Sequence, residues 1–330
     1  MGSKVGGRGD PIGLGVLIRR DGLHAVAVNL DGDVLEDSYR MRPLGPEQPV
    51  PVEQVVDGIG ALVAELLDRW PSDRGEVVVG LGVAVWGHVN LAGEVVESPA
   101  LGWRQVRLPE LLTAATGIDD VLVHHDVSAL ALAEQSFGVG RERSSFAVVT
   151  CRWGLGCSLV LHNELVRGDD GAAAELGHVV FDPDGPDCSC GNRGCLEMLA
   201  TPKAVVERVR GAGLAHVESP LEVIDLARAG DETALAALRS AETMLGRGLA
   251  LLTNLVNPGL VILYGQPEVL GAEPYREATL TALRRSSFPT RHCDVVIKPN
   301  ADQMAARGVA SEVLQLVAEP SPARSGLGSR

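Results

Sequence analysis

The sequence predicts an α/β protein built as two lobes, and three observations carry that expectation. The chain has 330 residues, more than one hydrophobic core usually spans. Short β-branched runs are interleaved with helical periodicities along its length. Aromatics make up 3% of residues against 45% hydrophobic overall, so both cores must be built from Val, Leu and Ala.

The elements follow in order. Residues 1–10 (MGSKVGGRGD) and 319–330 (EPSPARSGLGSR) are Gly-, Ser- or Pro-rich ends, expected to be disordered. Ile12–Arg19, His24–Leu30 and Asp33–Tyr39 alternate apolar residues around Asp31-Gly32, the pattern of a hairpin meander. Val52–Trp70 places Val55, Val56, Ile59, Leu62, Val63 and Leu66 on one helical face. Glu76–Val85 is a nearly unbroken apolar run suited to a central strand, followed by a short helix at Pro109–Thr116 and a strand at Asp120–His125.

The second lobe is expected to begin at Asp126, with a helix at Val127–Phe137 and strands at Phe146–Thr150 and Ser158–Val166. Helices then follow at Pro202–Ala212, Leu221–Ala229 and about Glu232–Leu255. The last of these stops at Asn257-Pro258, because proline cannot continue a helix. Leu260–Tyr264 is a strand, and Met304–Leu316 is a closing helix that returns to the first lobe. The expected division is therefore 11–125 plus a C-terminal helix near 303–318, against 126–302.

The richest segment lies between Glu175 and Glu197, ELGHVVFDPDGPDCSCGNRGCLE. His178, Cys188, Cys190 and Cys195 fall within eighteen positions, and Gly191-Asn192-Arg193-Gly194 is a turn able to fold three thiolates onto one point. Three thiolates and one imidazole suit tetrahedral Zn²⁺ and leave no open position for a catalytic water, so such a metal would be structural. Disulfides or buried apolar thiols are the alternatives. Disulfide frameworks belong to small secreted domains, and cysteines separated by one residue pair poorly. Cys151, Cys157 and Cys293 are isolated and read as small core hydrophobes.

Glu175-Leu176-Gly177-His178, followed by Cys188-Ser189-Cys190-Gly191-Asn192-Arg193-Gly194-Cys195-Leu196-Glu197, resembles the signature of the ROK family (repressors, open reading frames, kinases). The resemblance runs from about residue 12 to about residue 315. It implies the actin-like ATPase and sugar-kinase fold, two α/β lobes with a hinge cleft and a structural zinc loop. It also implies a sugar site. His125-Asp126 stands where the family's kinases carry Asn-Asp, whose Asp is a sugar ligand and general base. Carried across, Asp126, Glu175, His178 and Glu197 are the sugar ligands, with His125 beside them; on their own, Asp126 would be a helix cap and the two glutamates solvated acids. Ser98-Pro99-Ala100-Leu101-Gly102-Trp103 resembles a segment whose hydroxyl-binding Asn is Ala100 here. The methyl supplies neither the donor nor the acceptor of that amide, which weakens recognition of a polyol.

The phosphate-cradling glycine elements of the kinases are altered at Gly13-Leu14-Gly15-Val16-Leu17-Ile18-Arg19-Arg20, where bulky residues replace the glycines, and at Arg152-Trp153-Gly154-Leu155-Gly156 and Tyr264-Gly265-Gln266-Pro267. These departures argue against ATP and Mg²⁺ as ligands and resemble the family's repressors, some of which also carry His-Asp. Those repressors begin with a winged helix-turn-helix, whereas the first strand here is expected by about residue 12. The expected function is therefore a sugar-sensing core for a hexose, amino sugar or sugar phosphate. The alternative is a divergent ATP-dependent hexose kinase with Asp126 as its base.

Net charge is −14, which argues against direct nucleic-acid binding, and no apolar run is long enough to span a membrane. Reduced zinc thiols and the lack of a signal peptide point to the cytoplasm. The resemblance implies a homo-oligomer, a dimer or tetramer.

Overall fold

The structure is a computed structural model that describes residues 10–19, 21–41, 49–68, 76–270, 275–288, 292–299 and 302–318. The Gly-rich ends expected to be disordered lie outside these residues, apart from Asp10. The chain forms two compact units. The first comprises Met1–Arg141, Arg167–Ala172 and Ala301–Arg330, and the second Glu142–Val166 and Ala173–Asn300.

In the first unit, β1 (Asp10–Ile18), β2 (Gly22–Asn29) and β3 (Val34–Met41) form the antiparallel meander. Gly32 closes its second turn at φ +82° under the ring of Phe137, which a Cβ there would strike at 2.0 Å. Helix α1 (Val52–Asp68) buries the six apolar positions read from the sequence; positions 69 and 70 lie outside the described residues. Strand β4 (Glu76–Val85) runs parallel to β1. A small antiparallel sheet follows, β5 (His88–Val89), β6 (Val95–Ser98) and β7 (Trp103–Val106), and then α2 (Leu108–Thr116), β8 (Val121–His125) and α3 (Asp126–Phe137). The main sheet has the order β3-β2-β1-β4-β8.

In the second unit, β9 (Phe146–Cys151), β10 (Leu155–Leu161) and β11 (Glu164–Leu165) form a second antiparallel meander. The strand expected at Ser158–Val166 is thus two strands, broken by a turn at His162 and Asn163, both with positive φ. Helices α4 (Leu196–Ala200), α5 (Pro202–Gly211), α6 (Pro220–Arg228) and α7 (Glu232–Val256) come next. Strand β12 (Leu260–Gly265), helices α8 (Pro267–Leu270) and α9 (Tyr275–Ser286) and strand β13 (Asp294–Pro299) complete the unit. The sheet order β11-β10-β9-β12-β13 repeats the plan of the first: a three-stranded antiparallel meander extended by two parallel strands. Local chemistry sets the ends of α7. The Asp231 side chain caps the Ala234 N–H, and Asn257 leaves the helix in the left-handed conformation ahead of Pro258.

The C-terminal helix α10 (Asp302–Ala318) lies over β1 and β4 in a lane of glycines. Gly13 pairs with Gly80 and Gly15 with Gly82. A Cβ on Gly13, Gly15 or Gly82 would stand 2.3, 1.9 or 2.3 Å from the carbonyl oxygens of Ala310, Ala306 and Val309. On the other side of α10, Gly308 meets the Ala129 carbonyl of α3 just as closely. Helix α3 therefore belongs to the first unit, and the expected boundary at residue 126 is corrected. A buried His124 on β8 also meets Glu312 of α10. The two cores are aliphatic, as the composition required: Ile12, Leu14, Ile59 and Leu81 anchor one, and Leu196, Leu245, Leu249 and Val261 the other.

Candidate functional site

The segment from Glu175 to Glu197 folds as a knot whose sequence neighbours are forced together by glycines. A short 3-10 turn at Leu176–His178 presents the imidazole. Its Gly177 abuts the Leu155 carbonyl, which a Cβ would meet at 2.1 Å. Gly194 has φ +61° and touches the Asp182 carbonyl, so only glycine fits. Antiparallel bridges at Val180↔Cys195 and Asp187↔Arg193 close the loop.

These constraints gather the four candidate ligands. The ligand atoms of His178, Cys188, Cys190 and Cys195 all lie within 4.8 Å of one another. Cys190 Sγ is 3.6 Å from Cys195 Sγ, and Cys188 Sγ is 3.5 Å from His178 Nδ1. None of the cysteines is disulfide-bonded. A tetrahedron with Zn–S bonds of ~2.3 Å has edges of ~3.8 Å, so the donor set and its spacing fit zinc.

The thiols of the cluster perturb one another. Burial, then hydrogen bonds that the Cys195 thiol donates to Cys190 and Cys188, push Cys195 up to about 12. For Cys190 desolvation acts upward, but the Asn192 backbone N–H and the neighbouring thiols outweigh it and bring it down to about 7. Three thiolates this close together repel one another, and a divalent cation bound among them would offset that repulsion.

The two carboxylates that bracket the knot differ. Glu175 is exposed, directly before the imidazole-bearing turn. Glu197 is half-buried in the first turn of α4, and its Oε2 accepts the Leu155 N–H at 2.9 Å. It is thereby pinned to the β9–β10 turn. Cys151 and Cys157, the expected core thiols, are buried and pushed up to about 12, by burial first and then by the charges of Glu197 and Glu175 respectively. Cys293 is partly buried, packs against the edge of the second unit's core and lines a cavity of about 310 Å³ with Thr253, Arg284 and His292.

His125 and Asp126 sit in the first unit, where β8 passes into α3, with His125 Nε2 at 3.1 Å from Asp126 Oδ1. Asp126 is the first helical residue, and His125 occupies the cap position without capping through its side chain. Ala100 lies in the turn from Ser98 to Gly102, held by the Ser98 carbonyl.

The glycine elements have structural partners of their own. Gly13 and Gly15 belong to the lane under α10, and a Cβ on Gly265 would strike Leu270 at 2.3 Å and the Cys151 carbonyl at 2.7 Å. The β9–β10 turn is closed by Arg152 N–H to the Gly154 carbonyl at 2.9 Å, leaving the Trp153 side chain 72% exposed.

Two units with duplicated mixed sheets and a Cys₃His knot define a class of α/β protein found among sugar kinases and their regulatory relatives. The ROK family model matches residues 14–315, and the chain belongs to that family. The xylose repressor of Bacillus subtilis is 29% identical over 254 residues, which cover 76% of this chain and 63% of the repressor. A glucokinase of Thermotoga maritima is 30% identical over 283 residues, 80% of this chain and 86% of that enzyme. The ROK hexokinase of Thermus thermophilus superposes with a TM-score of 0.80 at 27% identity, covering 93% of this chain and 99% of the other. The chain thus spans less than two thirds of the repressor's length. Glucokinases stand among the relatives, so kinship alone gives no support to the expectation that ATP and Mg²⁺ are excluded.

Proposed function

We propose that this chain is a ROK-type sugar-sensing core, in which a neutral hexose, an amino sugar or a sugar phosphate is the effector. Asp126, His125, Glu175, His178 and Glu197 are the residues assigned to it as polar ligands. Zinc held by His178, Cys188, Cys190 and Cys195 keeps the imidazole and the two glutamates in register, a supporting role of the kind outer groups play around many sites. Carboxylates that accept hydroxyl hydrogens form the polar half of such a pocket. Kinship with a xylose repressor and with glucokinases supports a sugar as the ligand class.

The observation that supports sensing over catalysis is the β9–β10 turn, where Arg152 and the exposed Trp153 stand in place of the small residues that a phosphate-cradling loop needs. Sugar would act by preferring one conformational state of the chain over another, and only that difference in affinity can be a signal. The readout would pass through a homodimer or tetramer rather than through DNA contacts made by this acidic chain. Zinc-bound thiolates suit a reducing compartment, the cytoplasm.

The second reading, an ATP-dependent hexose kinase with Asp126 as general base, is favoured by the 86% coverage of the Thermotoga glucokinase. One experiment separates the two. Zinc-loaded protein is titrated calorimetrically with a panel of sugars and then assayed with ATP, Mg²⁺ and each sugar that binds. Binding without turnover is expected; turnover abolished by Asp126→Asn would replace the sensor by the kinase.

A further inference from the structure

Strand β4 is apolar and buried from Gly80 to Val85, and the next residue is Trp86, 46% exposed. Single exposed apolar side chains are ordinary, so exposure alone decides nothing. Its place does. Val85 pairs with His125 across the parallel β4 and β8, so Trp86 and Asp126 are the next residues along two adjacent strands. Both stand at the carboxyl ends of parallel strands, where open α/β sheets bind their ligands.

The backbone at Trp86 is held on both sides. Buried Ser98 donates its hydroxyl to the Trp86 carbonyl. Gly87 follows at φ +133°, packed so closely that a Cβ would lie 2.3 Å from the Glu97 carbonyl oxygen. One residue later, His88 Nε2 meets the Asp170 carbonyl oxygen at 3.0 Å. The indole is therefore presented from a fixed turn. The same Ser98 begins the turn that carries Ala100, whose methyl cannot replace the amide that the ROK pattern has there. The strand edge that lacks this amide is the one where a large apolar surface has been put out.

We propose that Trp86 is a specificity-determining platform for the sugar, on which one C–H face of a neutral pyranose lies while Asp126 accepts from its hydroxyls. This rests on the sugar-binding function proposed above and deepens it. An indole offers a wide, flat apolar face and a single ring N–H, and a pocket of apolar walls with few convergent polar groups is the usual way to hold a small ligand. A pyranose bound this way needs fewer amide partners at its rim, which accommodates Ala100. The expected ligand class is an uncharged pyranose with an unbroken C–H face.

The test uses the zinc-loaded full chain in a Trp153→Phe background, which silences the other exposed indole of the described residues. D-xylose, D-glucose and N-acetylglucosamine are titrated by calorimetry and by tryptophan emission. Trp86→Ala should weaken binding on the order of tenfold, the worth of the ring face it would uncover. Trp86→Phe should keep most of the affinity, and the emission change seen with Trp86 should vanish in it. Thermal melts check that each variant is folded. Saturation by calorimetry with no emission change, or Trp86→Ala binding within twofold of the parent, overturns the platform but leaves the sugar site standing. No heat with any of the sugars in the parent protein overturns the sugar site, and the platform with it.

Discussion

At the scale of single residues, identity matters most where backbone comes closest. Gly177 places its Cα against the Leu155 carbonyl, the same residue whose N–H is held by Glu197. Gly177→Ala should therefore disturb the imidazole turn and the Glu197 tether together, costing about 1–3 kcal/mol; chemical denaturation would measure it, and an unchanged midpoint would refute the close packing. Asp126 carries the opposite expectation. Asp126→Asn keeps shape and helix position but removes the charge that, on the proposed function, would strengthen hydrogen bonds from sugar hydroxyls. Affinity for a bound sugar should fall by at least about tenfold with little change in melting temperature, as read by calorimetry and circular dichroism. The His-Asp pair is legible in the sequence because the two residues are adjacent. Trp86 is not, because its signal is exposure at the end of a buried strand.

At the scale of elements, the Cys₃His knot and the glycine lane make contrasting cases. The knot is nearly self-contained: His178, three cysteines and two obligatory glycines lie within one loop, so its chemistry can be read from spacing. Metal analysis should find one zinc per chain. Stripping it with a strong chelator should lower the melting temperature and open residues 182–195 to protease, since metal affinity in such sites is folding energy. Cys195→Ser should do the same without chelator. The lane across β1 and β4 is different, because its meaning depends on a helix some 290 residues further on in sequence. Gly13 and Gly15 read in sequence as two small residues of a strand; in the fold they are the floor for α10. Gly15→Ala should drive a methyl into the Ala306 carbonyl and cost about 1–3 kcal/mol, visible as a lower denaturation midpoint. The small sheet β5–β7 and the elements α9 and β13 leave little trace in the sequence because their runs are short and carry weak periodicity.

For the whole molecule, two units with one repeated sheet plan follow from two separate aliphatic cores. If sugar binds the native chain and not the unfolded one, saturating ligand should raise the melting temperature, by about 2.7 kcal/mol of added stability at a hundredfold excess over Kd. A panel in which no sugar shifts the melt would count against the effector role. The described helices include none long and apolar enough to cross a membrane, in keeping with the hydropathy of the chain.

What could be known from the amino-acid order was whatever is written in neighbouring residues: the alternation of strands and helices, the stop of α7 at Asn257-Pro258, and a Cys₃His knot whose candidate ligands fall within eighteen positions. Such features are governed by short-range sterics and by donor chemistry, and both act within a loop. The folded chain alone revealed that α3 belongs with the first unit, that the N-terminal glycines make room for α10, that Glu197 is tethered to a strand turn, and that Trp86 and Asp126 follow a paired Val85 and His125 at the ends of adjacent strands. Each depends on packing between segments far apart in sequence, whose partners no local pattern names.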